Sequence, residues 1–431
     1  MMIPSESKPD AQAKGNRRTS FACASGFKKR ERGTPEERQR RVKARTTWCV
    51  KRRDPSSRYG LAEERRVRVA ANVKLPLDTY GASLWHLSRV LLLVFAALAM
   101  SVGSATAQPP NARIGEAVPR DVRELYDKGL QYLAKTQTTN GDWAGGQQGP
   151  GVTGLGLMVF LASGEDPNFG LYGNNVRRAV RSIIKSQNAT TGYIGSSMYH
   201  HGFAMLALAE AYGAVDDRHL WPDGTKGRSI GDALELSVRA ALTSQERNSF
   251  GAWRYNPTST DADTSVSGAV LVGLLAARNA GIEVPDKSID KAISYYSKMT
   301  ASSGQVAYSG GIGGFDESLA RISIATLVYA VARRKDLEQF RSALDYLRNK
   351  IEFTGRSGFG WVNYQRYYQA QALFQGDVDA WAKWNKLLVR QLKTSQKADG
   401  SFPGQHGPAV STSLSLLAVA VNFRFLPIYE R

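Results

Sequence analysis

Cysteine is nearly absent from this 431-residue chain: Cys23 and Cys49 are the only two, and nothing after position 49 carries a thiol. That excludes disulfide scaffolds, cysteine-ligated zinc, iron–sulfur clusters and thiol nucleophiles from the rest of the chain. Histidine is scarce as well, with five residues. Stretches alternating apolar and polar residues over a useful strand length are missing, which argues against a sheet. The one concentrated apolar run, Val90 to Met100, is eleven residues long, short of the about 20 that fill a bilayer core. Charge of one sign is less abundant than the net +19 suggests. Residues 1–107 hold 22 Lys/Arg against 9 Asp/Glu, whereas residues 108–431 hold 35 against 29 and carry only +6. Such a balance is an ordinary solvated surface, and no nucleic-acid partner is expected.

What is present divides the chain. Residues 1–84 are Arg-rich and Ser/Pro-punctuated without an apolar period, the composition of a disordered basic extension, and their translation is itself in question. Residues 85–107 follow the secretory pattern: the basic flank Trp85-His-Leu-Ser-Arg89, the apolar run, and the small-residue exit Ala105-Thr-Ala107. Export to the periplasm or medium is therefore expected, with membrane attachment only if this segment stays uncleaved. Residues 108–120 read as a linker, and 121–431 as one folded body.

That body repeats. Gln137-Thr-Thr-Asn-Gly141-Asp-Trp143, Gln187 with Gly192-Tyr193, Gln245 with Gly251-Ala-Trp253, and Gln396-Lys-Ala-Asp-Gly400-Ser-Phe402 share one grammar: glutamine, short polar turn, glycine, aromatic. Two worn copies fall near Met299–Tyr308 and Ile351–Trp361. Each copy separates an amphipathic stretch from one apolar nearly all round. The first kind covers Val122–Thr136, Asn175–Ser186, Ile230–Ser244, Ile289–Met299, Leu337–Lys350 and Val378–Ser395. The second covers Thr153–Ala162, Gly202–Tyr212, Thr264–Ala280, Leu319–Ala332, Tyr368–Phe374 and Thr412–Asn422. Amphipathic helices belong outside and uniformly apolar ones inside. Six of each, alternating, predict an all-α fold closed into a double-ringed α6/α6 toroid. The glutamine, glycine and aromatic are expected to staple neighbouring hairpins, with no part in chemistry.

From Asp121 to Arg431 the repeated signature resembles the QW motif of the prenyltransferase/squalene-cyclase superfamily, as a single-barrel exported bacterial member. The resemblance implies an α/α barrel and a range of roles, from terpene cyclases to non-catalytic relatives. It does not extend to the zinc site of prenyltransferase β subunits or to a thioester, both of which need a cysteine that the body lacks. No cofactor or metal is implied.

Asp261-Ala262-Asp263-Thr264-Ser265 resembles the Asp-x-Asp-Asp-Thr-Ala motif, whose middle Asp protonates an alkene in class II cyclases. One register makes Asp263 the proton donor with Asp261 as helper. The other aligns Asp263-Thr264-Ser265 with the motif's end, keeps the helix start in phase with Thr153 and Thr412, and leaves Ala262 at the donor position. A carboxylate capping a helix N-terminus is also expected to be ionised. Consecutive inner helices begin at one end of a toroid, so several further residues are candidates to line a common mouth: His201, Trp253, Tyr255, Tyr308, Asp316, Glu317, Trp361, Tyr368 and His406. Three readings follow: a non-enzymatic toroid binding an isoprenoid, a carbohydrate or a protein partner; a cyclase-like enzyme; or a polysaccharide-active toroid using Asp263 with Asp316 or Glu317.

Overall fold

A computed structural model describes residues 118–309, 318–350 and 361–429. The basic extension, the secretory segment, most of the linker, the carboxyl pair Asp316-Glu317 and most of the fifth signature lie outside these residues.

Among the described residues are twelve α-helices and no strand. The outer helices are α1 (Arg120–Thr136), α3 (Gly173–Lys185), α5 (Ile230–Glu246), α7 (Asp286–Met299), α9 (Glu338–Arg348) and α11 (Val378–Ser395). The inner ones are α2 (Pro150–Leu161), α4 (Met198–Ala211), α6 (Thr264–Asn279), α8 (Leu319–Val331), α10 (Val362–Gly376) and α12 (Pro408–Ala420). Sequence pattern dictates the layers. In α3 all five apolar side chains, Val176, Ala179, Val180, Ile183 and Ile184, turn inward, a stripe at helical spacing. In α2 every residue from Gly151 to Phe160 is buried.

Each inner helix packs on the next, and α12 packs on α2, so the inner ring is closed. The outer helices α11 and α1 also meet across the same seam. Small residues set the inner spacing: a Cβ at Gly202 in α4 would lie 2.6 Å from the backbone of Ala269 in α6. The expected α/α toroid is the observed fold.

The signature turns are the mortar. The side-chain amide of Gln187 donates to Gly192 O at 2.9 Å within its own turn and to Ala233 O at 2.8 Å in the next outer helix. Gln137 does the same to Gly141 and Asn175, and Gln245 to Gly251 and Ser288. Gln396 donates to Gly400 and, across the seam, to Leu125 of α1. One amide thus crosslinks two hairpins at each of these four joints. Trp143 and Trp253 pin the turns from the other side, their indole N–H groups donating to Leu133 O and Ala241 O. In the worn fourth copy Thr300 stands where glutamine is expected, and its hydroxyl bonds Tyr296 O and the Tyr329 hydroxyl.

Past α12 the chain turns back. Phe425 covers Gly164, and the buried Tyr429 reaches Leu417 O at 3.4 Å. Its short helical turn, Pro427–Tyr429, also touches α6. The C-terminal segment therefore straps the end of the ring where the inner helices finish.

Candidate functional site

The inner helices all start at one end, and among the described residues the N-terminal approaches of α4, α6, α10 and α12 carry aromatic or ionisable side chains. Asp263 sits at the start of α6, between Trp253 and the turn of the fourth repeat: its N–H donates to Trp253 O, and Thr264 N–H donates to Tyr308 O. Its Oδ1 caps α6 by accepting from Val266 N–H at 2.8 Å. Its Oδ2 is buried and accepts no hydrogen bond.

The residue is 0% exposed. Burial pushes its carboxyl up from 3.8 to about 7, against the opposing pull of the Val266 and Ser265 N–H groups and of Arg254. This overturns the expectation of a fully ionised cap. Two backbone N–H groups and the positive end of the helix dipole do not offset taking a carboxylate out of water. Around it stand Tyr199, Tyr255, Tyr295, Tyr296 and Tyr308, whose hydroxyls are all held more firmly protonated by burial, first, and by the Asp263 charge.

Asp261 does not assist Asp263 directly. It is exposed at the rim and pairs with Arg254 at 3.0 Å. The Arg254 guanidinium lies 5.7 Å from the Tyr308 ring centroid and 6.0 Å from that of Tyr255, and the two tyrosine hydroxyls bond each other at 3.0 Å. Arg321 approaches the Tyr308 ring from the other side while donating to Val306 O. Arg254, Tyr255 and Tyr308 are all partly exposed, so this is the accessible part of the site.

Further round the mouth, Trp361 stacks on His406 with ring centroids 3.9 Å apart. Burial lowers the His406 pKa, and its Nε2 is buried without a partner. Trp361 leads inward to Tyr364, and from there the ring interior is packed. Tyr364 shares a hydroxyl bond of 3.1 Å with Tyr199 and meets Tyr368 edge-on at 4.9 Å. Tyr367 stands against Tyr368 at 4.8 Å and against Phe203 at 6.2 Å. All five of these rings are buried.

Three of the residues expected at the mouth lie elsewhere. Trp253 is fully buried and its indole N–H is spent on Ala241, so it is a staple. His201 turns away from the mouth into the α4–α5 joint, where its ring nitrogens meet Ile194 N–H at 3.1 Å and Ser237 O at 2.9 Å. Its burial lowers the pKa to about 4, so it stays neutral. Tyr368 lines the packed interior and not the rim. Asp316 and Glu317 lie outside the described residues. Among the described residues no group of three or more His, Cys, Asp or Glu side chains could hold a metal. Sequence reasoning missed Tyr295 and Tyr296, which read only as an apolar stripe of an outer helix, and Arg254 as the partner of Asp261.

No family model and no curated protein matches the chain. Solved structures do. Two variants of the type II terpene cyclase MstE from Scytonema are 12% and 13% identical, each with a TM-score of 0.50. One holds its substrate, geranylgeranyl dihydroxybenzoate, and the other its product, merosterolic acid A. They cover 71% and 70% of this chain, and 98% and 96% of their own. An unsaturated glucuronyl hydrolase specific for heparin is 10% identical with a TM-score of 0.52, covering 70% of this chain and 96% of its own. At such identities the likeness is one of fold. It bears out the toroid expected from the squalene-cyclase-like repeats.

Proposed function

We propose that this protein is an exported, non-enzymatic toroid that captures a ligand bearing an anionic group beside a flat apolar or ring face. The observation that carries the reading is the contrast between a packed interior and an equipped rim. Tyr199, Tyr364, Tyr367, Tyr368 and Phe203 fill the ring, while Arg254, Tyr255 and Tyr308 stay partly exposed. A ligand anion would displace Asp261, which is 60% exposed, from Arg254. The tyrosine faces would stack on the adjoining ring or chain. Export rests on the secretory pattern of residues 85–107.

Fluorescence titration with two anionic probes, geranylgeranyl diphosphate and a galacturonate oligosaccharide, tests this. One probe is expected to bind and to be recovered unchanged, with Tyr255→Ala and Tyr308→Ala each weakening it about tenfold. Binding of neither overturns the proposal.

One observation favours a second reading. A fully buried carboxyl with a free oxygen and a pKa near 7 is half protonated at neutral pH, the state a general acid needs. Conversion of the diphosphate probe by the wild type, lost in Asp263→Asn, would replace capture by acid catalysis.

A further inference from the structure

The outer wall of the ring carries a groove that none of Arg254, Tyr255 and Tyr308 lines. It lies between the turn after α5 and the exposed face of α7, encloses about 560 Å³, and is lined by Asn248, Phe250, Lys287, Lys291, Ser294 and Lys298, among others. Two walls of different chemistry face each other across it.

On α7 the residues Lys287, Lys291, Ser294 and Lys298 follow one another along a single helical stripe. All three lysines are exposed, and none joins an ion pair or hydrogen bond among the described residues. Asp290 is the acid beside them, and it leans toward Arg334 at 4.0 Å. The opposite wall is Phe250, 44% exposed and braced edge-on against the buried Tyr295 at 6.3 Å.

The Phe250 turn is rigid. Asn248 Oδ1 accepts from Phe250 N–H, and its amide donates to the Ser259 and Asp261 carbonyls. Gln245 closes the turn onto Ser288 of α7. An apolar ring is thus held in water, its ordering already accomplished before any partner arrives.

We propose that this groove binds an acidic peptide segment of a partner protein in extended conformation. An extended chain shows alternate residues to opposite sides. A segment alternating Asp or Glu with apolar residues would give its carboxylates to the α7 lysines and one apolar side chain to Phe250. From Lys287 to Lys298 the helix rises about 16 Å, which an extended segment of about five residues spans. Lysine heads on flexible stems accept carboxylates without demanding one fixed geometry.

Fluorescence anisotropy of the full chain with a labelled (Glu-Leu) repeat peptide tests the proposal, with its (Gln-Leu) counterpart and polygalacturonate as competing probes. The acidic peptide is expected to bind. Lys291→Glu with Lys298→Glu should weaken it about tenfold, and Phe250→Ala several-fold. Lys383→Glu on α11 should leave it unchanged, and Tyr255→Ala and Tyr308→Ala should too, which separates this surface from the mouth. No binding, equal binding of the (Gln-Leu) peptide, or a response to Lys383→Glu equal to that of the groove lysines overturns the proposal. Tighter binding of polygalacturonate that Lys291→Glu with Lys298→Glu abolishes, and that Tyr255→Ala and Tyr308→Ala leave unchanged, assigns the groove to a glycan and overturns the peptide.

Discussion

At the scale of single residues, Asp263 serves two masters. Its Oδ1 caps a helix, and its Oδ2 is shut away among tyrosines. Because its folded pKa, about 7, exceeds the unfolded 3.8, the native state binds the extra proton between these values. Its contribution to stability is full below about pH 4 and is lost as pH rises through 7. His200 and His201 act in the opposite sense. Burial lowers each to about 4, so their penalty falls on acidification and is relieved as pH climbs toward 6.5. The wild-type curve therefore mixes opposing slopes, and only a difference isolates the aspartate. Asp263→Asn keeps an oxygen for Val266 but cannot ionise. Its stability relative to wild type should increase from pH 4 to about pH 7 and level off above that, as read from urea unfolding at several pH values. A flat difference would show that the carboxyl titrates normally.

At the scale of elements, the staple governs. Gly192 has φ of +76°, and a Cβ there would lie 2.1 Å from Leu236 O of the following outer helix. Neither backbone can retreat without breaking the Gln187 bridge. Gly192→Ala is expected to cost about 2–4 kcal/mol, and Gln187→Ala about 1–3 kcal/mol, by chemical denaturation. Their effects should be less than additive in the double variant, since both act on one joint. The same elements mark how far the sequence can be read. The helices were legible because apolar spacing and the Gln-to-aromatic interval recur about every 50 residues, and each copy corroborates the others. That the Asp263 carboxyl is held half protonated near pH 7 was not, because burial at this position is supplied by Tyr295, Tyr296, Tyr308 and Tyr199, 32 to 64 residues away and brought in by other repeats. His201 was misplaced for a related reason. Adjacent residues on a helix face different neighbours, and a repeat register gives the height of a residue in the ring but not its azimuth.

At the scale of the whole molecule, closure distinguishes this chain from an open array of hairpins. Terminal units of an open array have one neighbour and fray. Here α12 packs on α2, Gln396 reaches Leu125, and Lys393 approaches Asp121 at 3.4 Å, so the first and last hairpins have two neighbours like the others. Hydrogen exchange should accordingly protect the amides of α2 and α12 as strongly as those of α6, and heat should unfold the body in one transition. Weak protection confined to α1, α2, α11 and α12 would mean an open stack. A closed circle also fixes its own arithmetic. Adding or deleting one hairpin changes the circumference by a whole segment, which no small adjustment of crossing angles can absorb. Descendants of such a chain can lengthen and diversify the connecting loops at either rim, but the number of spokes is conserved by geometry alone.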